Sequence, residues 1–178
     1  MIYGSVEVPW TAGWTGESEF SIAPCRWAEG RMAICQSEAP GRGKPQFAKP
    51  HMIRQRQAMV ELRCDLCGRQ LAAATKVSLS SPRLTIVSGH GAIPLQVEPL
   101  LHRSCAQRAI QLCPELRRRR AAGDLLIRQV FACKPVLSLL NEAAAELYTG
   151  RRYRGAVGHM KLAVTRSVER DECWLGSR

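Results

Sequence analysis

The sequence contains few of the residues and patterns on which common enzyme chemistry depends. Its 178 residues include four histidines and a single asparagine, and aromatic side chains make up 6%. It has no phosphate-binding loop, no Gly-x-Ser-x-Gly elbow and no dinucleotide fingerprint, and the deaminase pattern of His-x-Glu with Pro-Cys-x2-Cys is missing. These absences exclude the enzyme classes that such motifs define.

Long apolar segments are also missing. No run approaches the roughly 18 apolar residues that a membrane-spanning helix needs. The first residues lack the basic and apolar regions of an export signal. We therefore expect a cytoplasmic protein without membrane association. Its apolar content of 46% is sufficient for a folded core.

Cysteines, by contrast, are numerous. The chain has eight, and in a reducing compartment metal binding is a better explanation for them than disulfides. Two residues separate Cys64 from Cys67, which Gly68 follows, and His102 and Cys105 repeat the spacing after 34 residues. Zinc in structural sites takes four nitrogen or sulfur ligands. The pattern therefore predicts one structural zinc per chain, bound by these four side chains.

The first cysteine pair has two other interpretations, a redox pair and simple core residues. A thioredoxin-like pair begins a helix after a buried strand, whereas Cys64 and Cys67 follow a predicted helix and precede predicted strands. Core cysteines would leave the spacing of His102 and Cys105 unexplained. Zinc is the favoured interpretation.

Local patterns predict strands and helices separated by turn residues. The predicted elements are a hairpin over 20–36, a loop rich in Pro and Gly over 39–50, a helix over 51–63, two strands joined by a turn over 71–80 and 84–88, an amphipathic helix over 100–116, a strand over 125–133, a helix over 141–150 and a strand over 160–166.

The order of these elements is that of a treble-clef zinc finger, in which a knuckle, a β-hairpin and a helix supply the ligands. The expected fold class is therefore α+β, with a small zinc-stabilised treble-clef-like core, flanking strands and a helix. We expect an N-terminal arm and hairpin over 1–50 and a zinc-binding core over 51–122. A C-terminal strand and helix extension over 123–178 is expected to pack on that core.

Positive charge is concentrated after residue 60. The net charge is +11, and residues 1–60 carry 7 basic and 5 acidic side chains while residues 61–178 carry 19 and 10. Such an excess attracts polyanions, of which nucleic acid is the usual one. Of the 26 basic residues 21 are arginine, as a GC-rich genome also produces, so a solvated surface without a ligand is the alternative.

Clustered basic residues are the candidates for nucleic-acid contact. Arginine binds phosphate through two parallel hydrogen bonds, and tyrosine can stack on a base. The candidate residues are Arg54, Arg56, Arg117, Arg118, Arg119, Arg120, Arg151, Arg152, Tyr153 and Arg154.

A metal-dependent nuclease is a further alternative, because treble clefs also form the core of HNH nucleases. Such a site needs a general-base His on the hairpin and a second His or Asn on the helix. His90 is the only histidine between the two ligand pairs, but it lacks an adjacent Asp or His, and Asn141 lies beyond the helix. We therefore expect a non-enzymatic, regulatory protein that binds nucleic acid.

The chain contains six short segments of note, W-T-G-E (14–17), G-K-P-Q-F (43–47), R-Q-R-Q-A-M (54–59), C-D-L-C-G (64–68), C-A (105–106) and C-P-E-L (113–116). Together these segments resemble a family of uncharacterised cysteine-containing proteins from actinobacteria and their phages. The resemblance covers about residues 10–120. Family members generally have Cys-x2-Cys as the second pair, where this chain has His102 and Cys105, and histidine also binds zinc.

The resemblance implies a zinc-binding fold and a phage or mobile-element origin. A phage-encoded protein could act on a protein of its host. The alternative to nucleic acid is therefore a host protein partner, gripped by the zinc module and by the arm that contains Trp10 and Trp14.

Overall fold

The computed structural model describes residues 1–72, 75–80, 85–87 and 91–176. Within these ranges the chain is a mixed α+β protein, as the sequence predicts. The strands are β1 Ile2–Tyr3, β2 Val6–Glu7, β3 Ala12–Trp14, β4 Phe20–Pro24, β5 Met32–Gln36, β6 Pro45–Pro50, β7 Lys76–Ser80, β8 Thr85–Val87, β9 Gly91–Ile93, β10 Leu95–Gln96, β11 Leu101–His102, β12 Leu126–Val136 and β13 Lys161–Arg170. The helices are α1 Met52–Val60, α2 Arg103–Leu112, α3 Pro114–Ala121, α4 Glu142–Thr149 and α5 Glu172–Gly176, with a 3-10 helix at Arg26–Ala28.

A five-stranded antiparallel sheet forms the largest unit of the fold. Its strand order is β10-β13-β12-β7-β11, so the two long C-terminal strands lie inside the sheet and not at its edges. β12 pairs with β13 on one side and with β7 on the other. Segments 51–122 and 123–178 therefore contribute hydrogen-bonded strands to one sheet.

The main hydrophobic core joins this sheet to helix α2. Val77, Val130 and Leu162 are buried on the strands, and Ala106 and Ile110 are buried on α2. Removing each of the larger side chains from water contributes about 1.5–3 kcal/mol. The same cluster includes Cys64 and Cys105, two of the expected metal ligands, so the candidate metal site is continuous with the core.

Several elements agree with the sequence prediction. The hairpin over 20–36 is confirmed, because β4 and β5 pair from Phe20 opposite Gln36 to Pro24 opposite Met32. The helix over 51–63 is confirmed as α1. His51 caps its first turn by accepting a hydrogen bond on Nδ1 from the Arg54 amide at 3.3 Å.

The C-terminal elements also agree with the prediction. β12 and β13 are the two expected strands, and α4 is the expected helix. Asn141 caps α4 by accepting a hydrogen bond from the Ala144 amide at 2.8 Å. Gly150 ends the helix with φ of +68°, a left-handed conformation in which glycine meets no Cβ penalty.

The predicted loop over 39–50 is wrong in its second half, where β6 pairs with β3. β6 has a proline at each end. Both are tolerated because β3 and β6 form a two-stranded ribbon, in which a backbone nitrogen that faces away from the partner strand needs no N–H to donate.

The predicted hairpin between the two ligand pairs is also wrong in its pairing. Both edges of β7 are occupied, by β11 and β12, and β8 pairs with β9 instead. The turn expected after residue 80 lies outside the described residues. A tight turn at the first ligand pair and a helix at the second are thus present, but β7 belongs to the large sheet and not to a local hairpin.

The predicted helix over 100–116 is divided into two. It begins at Arg103, stops before Cys113, and restarts as α3 at Pro114. Proline lacks an amide hydrogen and obstructs the preceding turn, so it begins a helix more readily than it continues one. No helix in the described part of the chain is long and apolar enough to cross a membrane.

Candidate metal centre

Cys64 and Cys67 lie in a tight turn whose two sides are joined by a bridge between Arg63 and Gln70. Within the turn, the Gly68 amide donates to the Cys64 carbonyl at 2.8 Å. Gly68 has φ of +71°, which reverses the chain directly after the second cysteine. This conformation is the knuckle that the Cys-x2-Cys-Gly pattern predicts.

The second pair lies where β11 meets α2. His102 is the last residue of β11 and the N-cap of α2, and Cys105 is in the first turn and is buried. The sequence places both residues inside the helix, whereas His102 precedes it. Their side chains still reach the same point, because the extended backbone at the cap directs the His102 ring toward the knuckle.

The four side chains form a compact cluster. The sulfurs of Cys64, Cys67 and Cys105 and one ring nitrogen of His102 all lie within 4.8 Å of one another. His102 Nδ1 is 3.4 Å from the Cys67 sulfur and 3.9 Å from that of Cys105. Ligand atoms around a tetrahedral zinc are separated by about 3.5–3.8 Å. The residues therefore lie close enough to hold one metal ion.

The orientation of the His102 ring supports this interpretation. Its Nε2 lies 2.9 Å from the carbonyl oxygen of Gln70, which can only accept a hydrogen bond. The ring proton therefore belongs on Nε2, and the lone pair of Nδ1 points at the sulfurs. A metal-binding histidine commonly donates its second ring nitrogen to a carbonyl in this way.

Burial and two neighbouring arginines act in opposite directions on the thiols. Burial raises the pKa of Cys64 to about 12. Burial also acts to raise the pKa of Cys67, but hydrogen bonds from the backbone and side chain of Arg69 outweigh it and lower the pKa to about 6. Arg108 donates to the Cys105 sulfur at 3.3 Å. Since metal ligation requires thiolates, a bound cation must displace the proton of the buried Cys64.

The N-terminal arm covers the knuckle, a role that local sequence patterns did not indicate. The Trp10 amide donates to the Leu66 carbonyl at 3.0 Å, and the Thr11 hydroxyl donates to the Asp65 carboxylate. A Cβ placed on Gly68 would lie 2.7 Å from the Trp10 ring. The glycine after the second cysteine is therefore also the contact point of an indole.

The prediction that Arg54 and Arg56 contact nucleic acid is wrong. Their exposed fractions are 4% and 0%. Arg54 makes two hydrogen bonds to the Glu17 carboxylate at 2.7 and 2.8 Å. Arg56 donates to the carbonyls of Ile34 and Gly158 at 2.7 and 2.9 Å. These guanidinium groups hold distant segments together from inside the molecule and are not free to reach phosphate.

The arginines at 117–120 lie on α3 and are partly neutralised. Glu115 pairs with Arg118 and Arg119, both at 2.8 Å, and Arg120 pairs with Glu172 at 2.9 Å. Arg117 is exposed and makes no ion pair with any residue that the structure describes. Helix α3 thus carries one unpaired cation beside three that share two carboxylates.

The second basic group follows α4. Arg151, Arg152, Tyr153 and Arg154 are all exposed, and Arg152 pairs with Glu146 at 3.0 Å. Helix α4 packs against the β4–β5 hairpin, whereas α3 packs against α2. The two basic groups therefore lie beside different elements.

The side chains needed for a nuclease are committed elsewhere or not described. His90, the candidate general base, lies outside the described residues. Asn141 caps α4, and the Nε2 of His159 is 3.1 Å from the Pro50 carbonyl, where burial lowers the pKa of the ring. Comparison of the chain with protein-family models, with curated proteins and with solved structures gave no match.

Proposed function

We propose that the chain is a non-enzymatic zinc protein in which Cys64, Cys67, His102 and Cys105 hold one structural ion. The observation that carries the proposal is the His102 ring, whose Nδ1 faces the sulfurs while Nε2 is held by Gln70. Three thiolates and one imidazole are ligands that zinc prefers in tetrahedral geometry. All four positions are filled by protein, so no position is left for a reacting water.

Metal analysis of the purified chain tests this assignment. We expect about one zinc per chain, and Cys67→Ser should release it and lower Tm by more than about 10 °C, because structural zinc contributes several kcal/mol to folding. The matched control is Cys173→Ser, since Cys173 is exposed and outside the cluster. Full zinc content in Cys67→Ser would refute the ligand set.

We further propose that the basic surface of this zinc protein binds nucleic acid in a regulatory role. The net charge of +11 and its concentration after residue 60 support this, and so does the exposure of Arg117 and of the group at 151–154. The phosphate backbone would supply most of the affinity, so binding should weaken steeply with salt.

Removal of the α3 charges tests this second proposal. Replacing Arg117, Arg118, Arg119 and Arg120 together by Ala should weaken binding of a labelled oligonucleotide about 10-fold or more and make the salt dependence less steep. Replacing the same four by Lys keeps the charge and should preserve the salt dependence. Equal zinc content in both variants confirms their fold. Unchanged affinity in the Ala variant would show that α3 is not the contact surface.

A protein partner is the competing proposal, and it would rely on the tryptophan-containing arm. Trp14 is 4% exposed, and Trp10 packs on Gly68. Both rings are occupied in internal contacts, so gripping a partner with them would require the arm to detach from the knuckle. This observation favours nucleic acid over a protein held by the arm.

A further inference from the structure

A cleft lies between the loop that follows α4 and the β4–β5 hairpin. It has a volume of about 470 Å³, within the range of small-molecule sites. Its lining combines apolar side chains, two arginines, a tyrosine and two hydroxyl residues: Phe20, Ile22, Met32, Arg151, Arg152, Tyr153, Ser21 and Thr149. A ligand that suits it needs an apolar, flat part and an anionic part.

The apolar wall of the cleft is built by the hairpin. Phe20 and Ile22 are half-buried and pack against the cluster that contains Ile34 and Ala145. Phe20 also contacts the Tyr148 ring, with centroids 5.5 Å apart. This wall is therefore fixed on two sides and presents a stable apolar surface.

The opposite wall is the loop over 150–155, which is closed at its base. The Gly155 amide donates to the Leu140 carbonyl at 3.3 Å, and the Leu140 amide donates to the Ala156 carbonyl at 2.8 Å. Glycines at both ends of the loop adopt positive φ, +68° at Gly150 and +79° at Gly155. The loop therefore holds Tyr153 and the arginines at the cleft while leaving their side chains exposed.

The charges at the cleft are positive with one carboxylate nearby. Arg151 makes no ion pair with the described residues, and Arg152 shares its charge with Glu146 at 3.0 Å. Tyr153 is 37% exposed, and its ring contacts no other aromatic ring among the described residues. A free cation beside an unstacked ring is the combination that binds a base with its phosphate.

We propose that this cleft binds one unpaired nucleotide of a single-stranded nucleic acid, with the base on Tyr153 and the phosphate at Arg151 and Arg152. The inference rests on the proposed nucleic-acid binding and specifies the form that is recognised. In a duplex the faces of each base are covered by neighbouring bases, so they cannot enter a cleft of this kind. Single strands leave the faces available.

The test compares an unstructured single strand carrying 2-aminopurine with a duplex of the same length. Wild-type protein should quench the 2-aminopurine fluorescence. Tyr153→Leu should lose the quenching and weaken single-strand binding roughly 5-fold or more, because one base–aromatic stack is removed. Tyr153→Phe keeps the ring and should behave as wild type. Tyr3→Leu removes a similarly exposed ring on β1 and is the control.

The outcomes separate this inference from the proposal on which it rests. Binding of both substrates with no effect of Tyr153→Leu would overturn the nucleotide cleft and leave nucleic-acid binding intact. Binding of neither substrate by zinc-loaded protein would overturn both. If Tyr153→Leu weakened duplex and single-strand binding equally, the loop would be a phosphate contact only, and the stacking assignment would be wrong.

Discussion

The buried carboxylate of Glu17 organises the charges at the start of α1. It accepts hydrogen bonds from the Arg54 guanidinium and from the amides of Trp14 and Ala39, the last two both at 2.9 Å. Burial acts to raise the pKa of Glu17, but the hydrogen bonds from Arg54 and Ala39 outweigh it and lower the pKa. This buried ion pair is therefore one of the contacts that join the N-terminal segment to α1.

His51 lies next to this pair and must be neutral for its own contacts to form. Its Nδ1 accepts from the Arg54 amide, and its Nε2 lies 3.0 Å from the Ser37 carbonyl, to which it donates. Protonation would place a hydrogen on Nδ1, facing the amide hydrogen. The pKa of His51 is lowered to about 4, mainly by burial. The nearby Arg54 charge also lowers this pKa, and its effect is larger than the opposite effect of the Glu17 carboxylate, 3.9 Å away.

We expect His51 to make the fold acid-sensitive between about pH 6.5 and pH 4. In this window the unfolded chain binds a proton on His51 and the folded chain does not, so the free energy of unfolding falls as the pH falls, by on the order of 2–3 kcal/mol. Glu17 acts in the same direction below about pH 4.5, because the stability that its lowered pKa contributes is lost once the carboxyl group of the unfolded chain binds a proton. Urea unfolding at several pH values measures the effect.

His51→Asn is the matched variant, because asparagine can cap α1 without titrating. Its stability should depend less on pH, by close to one proton over this window. Loss of metal at low pH affects both proteins equally and cancels in the difference. Identical slopes for wild type and His51→Asn would mean that His51 is not the group responsible.

At the scale of elements, the knuckle and the N-terminal arm depend on each other at Gly68. The glycine is needed twice, once for its φ of +71° and once because the Trp10 ring leaves no room for a Cβ. We expect Gly68→Ala to destabilise the protein by about 1–2 kcal/mol from the backbone conformation alone, plus the cost of displacing Trp10. Thermal unfolding of the zinc-loaded protein measures the sum.

Gly123→Ala separates the two contributions. Gly123 has φ of +72°, but nothing lies within 4 Å of the position of its Cβ. This variant should therefore lose only the backbone part, and Gly68→Ala should be less stable than Gly123→Ala by a further kcal/mol or more. Equal losses in the two variants would show that Trp10 moves aside without cost.

Elements that local residues determine were predictable, and those that depend on distant partners were not. The α4 helix has its Asn141 cap and its Gly150 stop within ten residues, and the two ligand pairs each have their own spacing. The burial of Arg54 depends on Glu17, 37 residues earlier. The sequence of α1 alone therefore indicates an exposed polar helix, because it does not show that Glu17 pairs with Arg54 inside the molecule.

The same distinction explains the error in the predicted hairpin. β7 has the alternation of a strand, but its partners are β11 and β12, which lie about 20 and 50 residues further along the chain. A strand pattern does not specify which strand it pairs with. The ligand cluster was predictable without this pairing, because each of the two ligand pairs has a local spacing that brings two ligands together.

At the scale of the whole molecule, the C-terminal third is part of the core that includes the candidate metal ligands and does more than cover it. β12 lies between β13 and β7, and β13 in turn pairs with β10. Val130, Leu162 and Val164 from these strands belong to the same buried cluster as Cys64 and Cys105. The strands that frame the metal site are therefore completed by chain that lies beyond the second ligand pair.

We expect residues 1–122 alone to lack a cooperative fold even with zinc present, because β7 and β10 would each lose a hydrogen-bonded neighbour and the core its central side chains. Thermal unfolding and zinc affinity against a competing chelator measure this. The control is a chain ending at residue 170, which keeps all five strands and removes only α5; it should still melt cooperatively at a lower temperature. A sharp transition for 1–122, with zinc affinity close to that of the full chain, would instead make 1–122 an independent folding unit.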